Sequence, residues 1–292
     1  MRVNRSGDLS LPYYGVLSAK GMDPIEKKPL YHFYPGRQIL SVGFYGCNFR
    51  CPFCQNYQIS QQVVEDALKT EPSQLVETAA RHGSIGIAYT YSEPLVHYEF
   101  VLDTAKLARK RGLKNVLVTN GFINPEPAGE LLAHTDAANV DLKAFSPDFY
   151  RSEMKGSLEP VLAFIRQAAP LIWLEVTTLV IPGKNDSESE IRAIADFLAA
   201  INPDIPYHLS CYYPAYKYTV KATPPDLIRN LAAVAREKLR YVYVGNVGMQ
   251  ETNTVCPGCG ATLVKREGYS TRILQLAQGA CTNCGQAVPI LT

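Results

Sequence analysis

Short apolar runs alternate with longer helical patterns over most of this 292-residue chain. Apolar runs of strand length predict seven strands, at 39–44, 84–90, 115–120, 137–143, 171–180, 207–213 and 241–247. Apolar residues with helical spacing, bounded by proline, glycine and cationic last turns, predict helices at 72–82, 94–111, 158–168, 187–200 and 224–239. This alternation predicts parallel strands joined by right-handed crossovers, as an open doubly wound sheet or a full or partial (βα) barrel.

The two ends of the chain differ from this repeating middle. Residues 1–38 are rich in tyrosine, proline and glycine and predict an irregular N-terminal extension packed on the main domain. Residues 39–249 predict the core domain, and residues 250–292, with two pairs of cysteines, predict a small metal-binding ribbon.

Composition narrows the class of protein. The charge balance of 29 basic and 27 acidic residues gives no reason to expect nucleic acid or a membrane surface as a partner. The N-terminus lacks an apolar signal region, and the most apolar stretch, 171–180, is too short to span a bilayer and contains Glu175. We therefore expect a cytoplasmic protein, in which eight cysteines indicate metal ligation or redox chemistry rather than disulfides.

Three cysteines, Cys47, Cys51 and Cys54, lie in the segment CNFRCPFC just after the first predicted strand. Thiolates hold iron–sulfur clusters, and three of them would leave one iron of a [4Fe–4S] cube open to a small molecule. Two other interpretations remain: a zinc site completed by His82 or His97, and an electron-transfer cluster completed by Cys211. Cys211 alone, between tyrosines in a predicted strand, is more typical of a buried apolar residue.

The segment CNFRCPFC has the form CxxxCxΦC, with Phe53 as the aromatic residue, and resembles the signature of radical S-adenosylmethionine (SAM) enzymes. The wider context, YYGVLSAKGMDPIEKKPLYHFYPG and CQNYQIS, resembles the radical SAM protein of the AmmeMemoRadiSam system, a relative of pyruvate formate-lyase activating enzymes. The resemblance extends over nearly the whole chain. It implies that the three cysteines bind three irons and that SAM binds the fourth and is cleaved to a 5′-deoxyadenosyl radical.

Polar residues follow several predicted strands, where a parallel α/β fold places its ligands. Their alternative roles are structural: a helix start at residues 92–94, a rim ion pair at residues 141 and 143, and a buried core histidine. The resemblance implies that the SAM contacts come from Phe53, Ser92, Glu93, Asn120, Asp141, Lys143 and His208. The sequence departs from the resembled family at Ser210 and Cys211, where a larger basic residue is usual. The resemblance therefore does not identify the residues that contact the substrate.

The four tail cysteines, Cys256, Cys259, Cys281 and Cys284, form two CxxC pairs separated by 21 residues. Four thiolates close the coordination shell of a structural zinc ion, and a second iron–sulfur cluster is the alternative.

Together these observations predict a partial (βα)6 TIM-like radical SAM barrel with a C-terminal zinc-ribbon-like module. The expected activity is reductive cleavage of SAM, with hydrogen abstraction from an unidentified substrate that is a small molecule or a protein. The expected electron donor is a flavodoxin or ferredoxin. The alternatives are an activating enzyme for a glycyl radical enzyme and a non-catalytic iron–sulfur or zinc protein.

Overall fold

The computed structural model describes residues 2–61, 67, 69–247 and 252–292. One large sheet contains eight strands: β3 (Leu17–Pro24), β4 (Gln38–Phe44), β5 (Gly86–Thr90), β6 (Lys114–Thr119), β7 (Ala137–Asp141), β8 (Trp173–Val180), β9 (Tyr207–Cys211) and β10 (Val242–Gly245). Their spatial order is β10-β9-β8-β7-β6-β5-β4-β3. Neighbours from β4 to β10 are parallel, whereas β3 is antiparallel to β4. All seven predicted strands are therefore present.

Six helices connect the parallel strands: α2 (Pro72–Arg81), α3 (Tyr98–Lys110), α4 (Pro125–Leu132), α6 (Glu159–Ala168), α7 (Glu188–Ile201) and α8 (Pro225–Arg236). Shorter turns are α1 (Tyr57–Ser60), α5 (Pro147–Phe149), 3-10 helices at Ile25–Lys27 and Pro94–His97, and a π-helical turn at Tyr150–Met154. Each long helix buries one apolar face. In α7 the buried residues recur every three or four positions, as packing against a sheet requires: Ile191, Ile194, Ala195 and Leu198.

Helix α4 was not predicted, because its sequence PEPAGELL contains two prolines and a glycine. Pro125 is the first helical residue, and Pro127 still lies in the first turn, where the missing N–H leaves no intrahelical bond unmade. Ala128, Leu131 and Leu132 are buried, so packing on the sheet stabilises this short helix.

The sheet is strongly curved and open. Asn246, just beyond β10, and Cys47, just beyond β4, line the same cavity, although these strands are six positions apart in the sheet. Within the described ranges the edge strands β3 and β10 do not pair with each other. The predicted partial barrel is confirmed.

The N-terminal extension is more regular than the sequence predicts. Residues 3–10 form a hairpin of β1 (Val3–Arg5) and β2 (Asp8–Ser10), and β3 adds an edge strand to the main sheet. Apolar and polar residues do not alternate regularly along β3, because it is an edge strand whose residues are mostly half-buried or exposed. Its hydrogen bonds come from β4, and this pairing is not visible in local sequence.

A buried polar cluster closes the barrel at the N-terminal ends of its strands. The carboxylate of Glu175, in β8, accepts hydrogen bonds from the backbone N–H of Tyr31 (2.9 Å) and of His32 (2.8 Å) and contacts His208 Nε2 at 2.7 Å. Burial alone would raise the pKa of Glu175, but the hydrogen bond from His208 and the surrounding donors hold it below its usual range. The extension is thus attached to the barrel core by an ionised carboxylate.

The C-terminal ribbon packs on the same end of the barrel. It contains β11 (Thr254–Val255), β12 (Thr262–Glu267), β13 (Ser270–Ile273), β14 (Leu276–Ala277) and β15 (Ala280–Cys281). The side chain of Arg266, 1% exposed, lies over the ring of Tyr31 at 4.3 Å and donates to Thr254 Oγ1 at 2.9 Å. The predicted domain boundary at 249/250 lies outside the described residues. Every helix within the described ranges is too short or too polar to cross a bilayer.

Candidate functional site

The three-cysteine loop begins where β4 ends, at the C-terminal edge of the parallel strands. Gly46, with φ +92°, turns the chain out of the strand, and its N–H donates to the carbonyl of Ile59 at 2.8 Å. Cys47, Cys51 and Cys54 all line one cavity of about 250 Å³. None of the chain's other five cysteines, all described, lines this cavity.

The loop thiols are spread apart. Among the described residues only the four tail cysteines bring three or more ligand atoms within 4.8 Å of one another, so the three loop sulfurs form no such group. Burial raises the pKa of the Cys51 thiol to about 11 and raises that of Cys47 further. In the absence of a bound group these thiols are therefore protonated at neutral pH, and a metal centre that binds them must displace the protons.

Aromatic side chains pack around the three-cysteine loop and fix its position. Phe53 is buried and packs on Phe149, with ring centroids 6.1 Å apart, and on Tyr218, at 5.6 Å. Phe49 is also buried, and a Cβ on Gly156 would lie only 2.3 Å from its ring. The phenylalanine of the cysteine motif therefore anchors the loop as well as lining the cavity.

Glu93 is the buried acid of the site. Its carboxylate accepts hydrogen bonds from Thr119 Oγ1 (2.6 Å), from the backbone N–H of Asn120 (2.8 Å) and from that of Leu95 (3.0 Å). Burial raises the pKa of Glu93 to about 7, even though these hydrogen bonds oppose the shift. Ser92, beside it, donates to the carbonyl of Phe44 at 2.7 Å. Glu93 is thus held rigidly and lacks a cationic partner among the described residues.

Asp141 is the last residue of β7, Lys143 lies two residues beyond it, and the two side chains form an ion pair of 3.0 Å on the cavity wall. Burial alone would lower the pKa of Lys143, but the Asp141 carboxylate raises it well above its usual value. Asn120 lines the same cavity, and its amide donates to Asn48 Oδ1 at 2.7 Å. The structure therefore brings together Phe53, Ser92, Glu93, Asn120, Asp141 and Lys143 around the three cysteines.

His208 is not part of this group. It lies near the start of β9, at the opposite end of the barrel, where it pairs with Glu175 and stacks on Tyr243 with centroids 5.3 Å apart. The expectation that His208 contacts SAM is corrected by this position, because a residue early in a parallel strand faces away from the ligand edge. His82 and His97, considered as zinc ligands, do not line the cavity either.

Sequence reasoning missed several cavity residues. Tyr91 precedes Ser92 with φ +70°, and Asn246 has φ +60° and donates to Ser210 Oγ at 2.9 Å. Thr177 lines the wall between them and lies within β8. The signal for Tyr91 was its position directly after the strand predicted at 84–90, whereas Asn246 fell inside the strand predicted at 241–247, which in the structure ends at Gly245. No pattern distinguishes Thr177, since only its orientation in the sheet brings it to the cavity.

The tail cysteines form a second, tighter group. The sulfurs of Cys256 and Cys284 are 3.6 Å apart, and those of Cys259 and Cys281 are 3.8 Å apart. Thiolates about 2.3 Å from one tetrahedral ion stand about 3.8 Å from each other. The predicted four-thiolate cluster is therefore present, with the spacing that one ion requires.

Comparisons with known proteins agree with this geometry. Residues 41–198 match the family described as the Radical SAM superfamily. An uncharacterized protein of Methanocaldococcus jannaschii, MJ0808, is 42% identical over 99% of this chain and 89% of its own length. The pyruvate formate-lyase 1-activating enzyme of Escherichia coli K12 is 27% identical over 56% of this chain and 69% of its own.

Two solved structures share the fold. SuiB of Streptococcus suis matches with a TM-score of 0.56 at 13% identity, over 73% of this chain and 48% of SuiB. TYW1 with a lysine-pyruvate adduct bound matches with a TM-score of 0.53 at 18% identity, over 73% of this chain and 77% of TYW1. Identities this low show a common architecture and do not transfer a substrate.

Proposed function

Because this chain belongs to the radical SAM superfamily, we propose that it is an enzyme that binds a [4Fe–4S] cluster through Cys47, Cys51 and Cys54 and cleaves SAM reductively. One feature supports this function above the others: three thiols from one loop line one cavity and are spread more widely than a single ion requires. A cube of four irons holds its thiolates at separate corners. With no fourth cysteine on the cavity, one iron is left for a small molecule.

The cavity residues fit SAM as a ligand. Glu93 is a rigid carboxylate whose charged form would gain from a nearby amine, and we assign it to the SAM amino group. Lys143, held as a cation by Asp141, is assigned to the SAM carboxylate. Ser92 and Asn120 line the pocket between them. His208 is not included, because it lies at the other end of the barrel.

When bound, cluster and SAM supply a 5′-deoxyadenosyl radical that removes a hydrogen atom from the substrate. The protein's own residues position the reacting groups and shield them from water. Phe49, Phe53 and Leu179 present apolar surface to the cavity, which limits water near the reacting groups. Catalytic residues on the substrate side are not assigned.

The identity of the substrate distinguishes a second candidate function. The curated relatives include activating enzymes for glycyl radical enzymes, such as a putative one from M. jannaschii that is 27% identical over 70% of this chain. SuiB, which shares the fold, has been solved with its precursor peptide SuiA. A protein or peptide substrate is therefore the second proposal. Membership of the AmmeMemoRadiSam system is proposed on the resemblance of the N-terminal segment.

We propose zinc for the tail site, because its four sulfurs all lie within 4.8 Å of one another, with two pairs at 3.6 and 3.8 Å, and this spacing fits one ion better than a second cube. The proposed units are the extension 1–38, the core 39–249 and the ribbon 250–292. A cytoplasmic location is proposed from the chemistry of the cysteines.

Anaerobic reconstitution tests the function. The protein should bind about four irons at the loop and about one zinc in the tail. With dithionite and SAM it should release 5′-deoxyadenosine, and Cys51→Ser should lose both the iron and the product. Iron uptake without any 5′-deoxyadenosine would favour a non-catalytic carrier. A glycyl radical protein encoded next to this gene would favour the activating-enzyme function.

A further inference from the structure

The cavity has two walls of different chemistry. One wall lies at the ends of β5, β6 and β7 and carries the charged side chains assigned above around SAM: Glu93, Asp141 and Lys143. The other wall lies on β8, on β9 and just after β10, and we name its residues the neutral wall: Thr177, Leu179, Ser210 and Asn246. None of these four side chains is ionisable, and none is assigned to the cluster or to SAM.

The deepest polar group of the neutral wall is the hydroxyl of Thr177, a residue only 8% exposed. Its proton has a fixed direction. Asn139 donates through Nδ2 to the carbonyl of Pro29 at 2.8 Å, and a carbonyl can only accept, so Asn139 Oδ1 is the atom that faces Thr177. The Thr177 hydroxyl donates to this oxygen at 2.9 Å. Because a hydroxyl has one proton, Thr177 Oγ1 offers only lone pairs to the cavity.

The hydroxyl of Ser210 has the opposite polarity. Asn246 donates through Nδ2 to Ser210 Oγ at 2.9 Å and to the carbonyl of Cys211 at 3.2 Å. The carbonyl again identifies the nitrogen, so Ser210 Oγ is the acceptor of its bond with Asn246. The proton of Ser210 has no acceptor among the described residues. Ser210 therefore offers a donor to the cavity.

The spacing of these two hydroxyls restricts the group that can bind both. In the parallel pair of β8 and β9, Leu179 is opposite Ser210 and Thr177 is opposite His208, so Thr177 lies two residues deeper than Ser210 on the neighbouring strand. This register places the two Cα atoms about 8 Å apart. A ligand that contacts both hydroxyls best carries its donor and its acceptor on different atoms, as an amide does in its N–H and C=O.

An anionic group fits this wall poorly. A carboxylate or phosphate presents only acceptors, which would leave Thr177 Oγ1 without a donor. Asp141, the residue opposite Thr177 on β7, adds a carboxylate beside the same position. The polarity and the charge of the wall thus favour an uncharged group.

We propose that Thr177 and Ser210 select a substrate that carries an uncharged amide, whose N–H donates to Thr177 Oγ1 and whose carbonyl accepts from Ser210; this rests on the proposed function. Asn139 and Asn246 are positioning residues, because each fixes the direction of one hydroxyl proton. Either the backbone of a peptide or a small cyclic amide can supply this group.

The test measures binding to the anaerobically reconstituted protein with SAM, by titration in saturation-transfer difference NMR. The probes are N-acetylglycine methylamide for a peptide, δ-valerolactam for a cyclic amide, and N-acetylglycinate as the anion. The two amides should bind about tenfold more tightly than the anion. Thr177→Val and Ser210→Ala should each weaken amide binding about fivefold, whereas Thr177→Ser, which retains the hydroxyl, should restore it. SAM affinity should be unchanged in all three variants.

Matched controls remove hydroxyls away from the cavity: Thr78→Val on α2 and Ser189→Ala on α7. Both should bind the amides within about twofold of the parent. Asn139→Ala tests the positioning role, because it releases the Thr177 proton toward the cavity. The preference for amide over anion should then fall, a ratio that a purely structural loss of stability would not change.

Equal affinity for the anion and the amides, or no binding of either amide to the parent, would overturn the proposal. Unchanged amide affinity in both Thr177→Val and Ser210→Ala would overturn it as well. Weaker SAM binding in Thr177→Val with amide affinity intact would also do so, because Thr177 would then belong to the SAM site. Tighter binding of one amide probe than of the other would support the proposal and identify a peptide or a small molecule as the source. The proposed function fails separately, if the parent releases no 5′-deoxyadenosine with dithionite and SAM.

Discussion

Replacing Glu175 by glutamine tests how the extension is held to the barrel. The side chain is fully buried, and its oxygens accept from the backbone N–H of Tyr31 and of His32 and from His208 Nε2, at 2.7–3.0 Å. A hydrogen bond to a charged group contributes about 1 kcal/mol more than a neutral one. The carboxylate also accepts a longer hydrogen bond from Trp173 Nε1 at 3.2 Å. Weakening the three short bonds and this longer one predicts a loss of at least about 3 kcal/mol in the free energy of unfolding, in the lower range for a disrupted buried ion pair.

The assay is urea unfolding followed by far-UV circular dichroism, with a thermal scan beside it. For a chain of this size about 3 kcal/mol corresponds to a fall in Tm of about 5 °C. Glu77→Gln, at an exposed position on α2, is the matched control and should change stability by less than about 0.5 kcal/mol.

The pH dependence gives an independent check. The folded-state pKa of Glu175 lies below its ordinary value, so its contribution is fully present above about pH 4.5 and is lost as pH falls through the folded pKa. The stability difference between parent and Glu175→Gln should therefore shrink in acid. A variant as stable as the parent at pH 7, or a difference that grows in acid, would refute the reasoning.

Three further results are expected. Gly156→Ala should lower the free energy of unfolding in urea by about 1–3 kcal/mol, because the added Cβ meets the Phe49 ring. Gly21→Ala, with open space around the added Cβ, is the control and should leave the stability unchanged. Equal effects of the two substitutions would contradict the packing of the loop. Arg266→Met should cost about 3 kcal/mol by the same measurement, since the buried acceptors around it lose a charged donor, and a neutral result would mean that the ribbon is held by other contacts. Cys284→Ser should remove the tail zinc, measured by elemental analysis, while the loop retains its iron; loss of iron instead would assign the tail cysteines to the cluster.

Local sequence predicts the strands of the main sheet, the two groups of cysteines and several residues of the cavity. The seven parallel strands follow from apolar runs, and the cysteine spacing in CNFRCPFC and in the tail predicts two separate groups of metal-ligating thiols. Glu93, Asp141 and Lys143 were predictable because parallel strands bring their C-terminal ends to one edge of the sheet. These features depend on residue type and spacing within a few positions.

Other features were decided by tertiary packing. Local pattern did not reveal that β3 would join the sheet, that α4 would form despite its prolines, or that Tyr91 and Thr177 would face the cavity. His208 shows the reason most clearly: as a polar residue in a predicted strand it suggested a ligand, but its position along that strand places it beside Glu175. Which end of a strand a side chain lies near, and what it meets there, depends on residues distant in sequence, because burial and hydrogen bonding are satisfied only when the whole barrel is assembled.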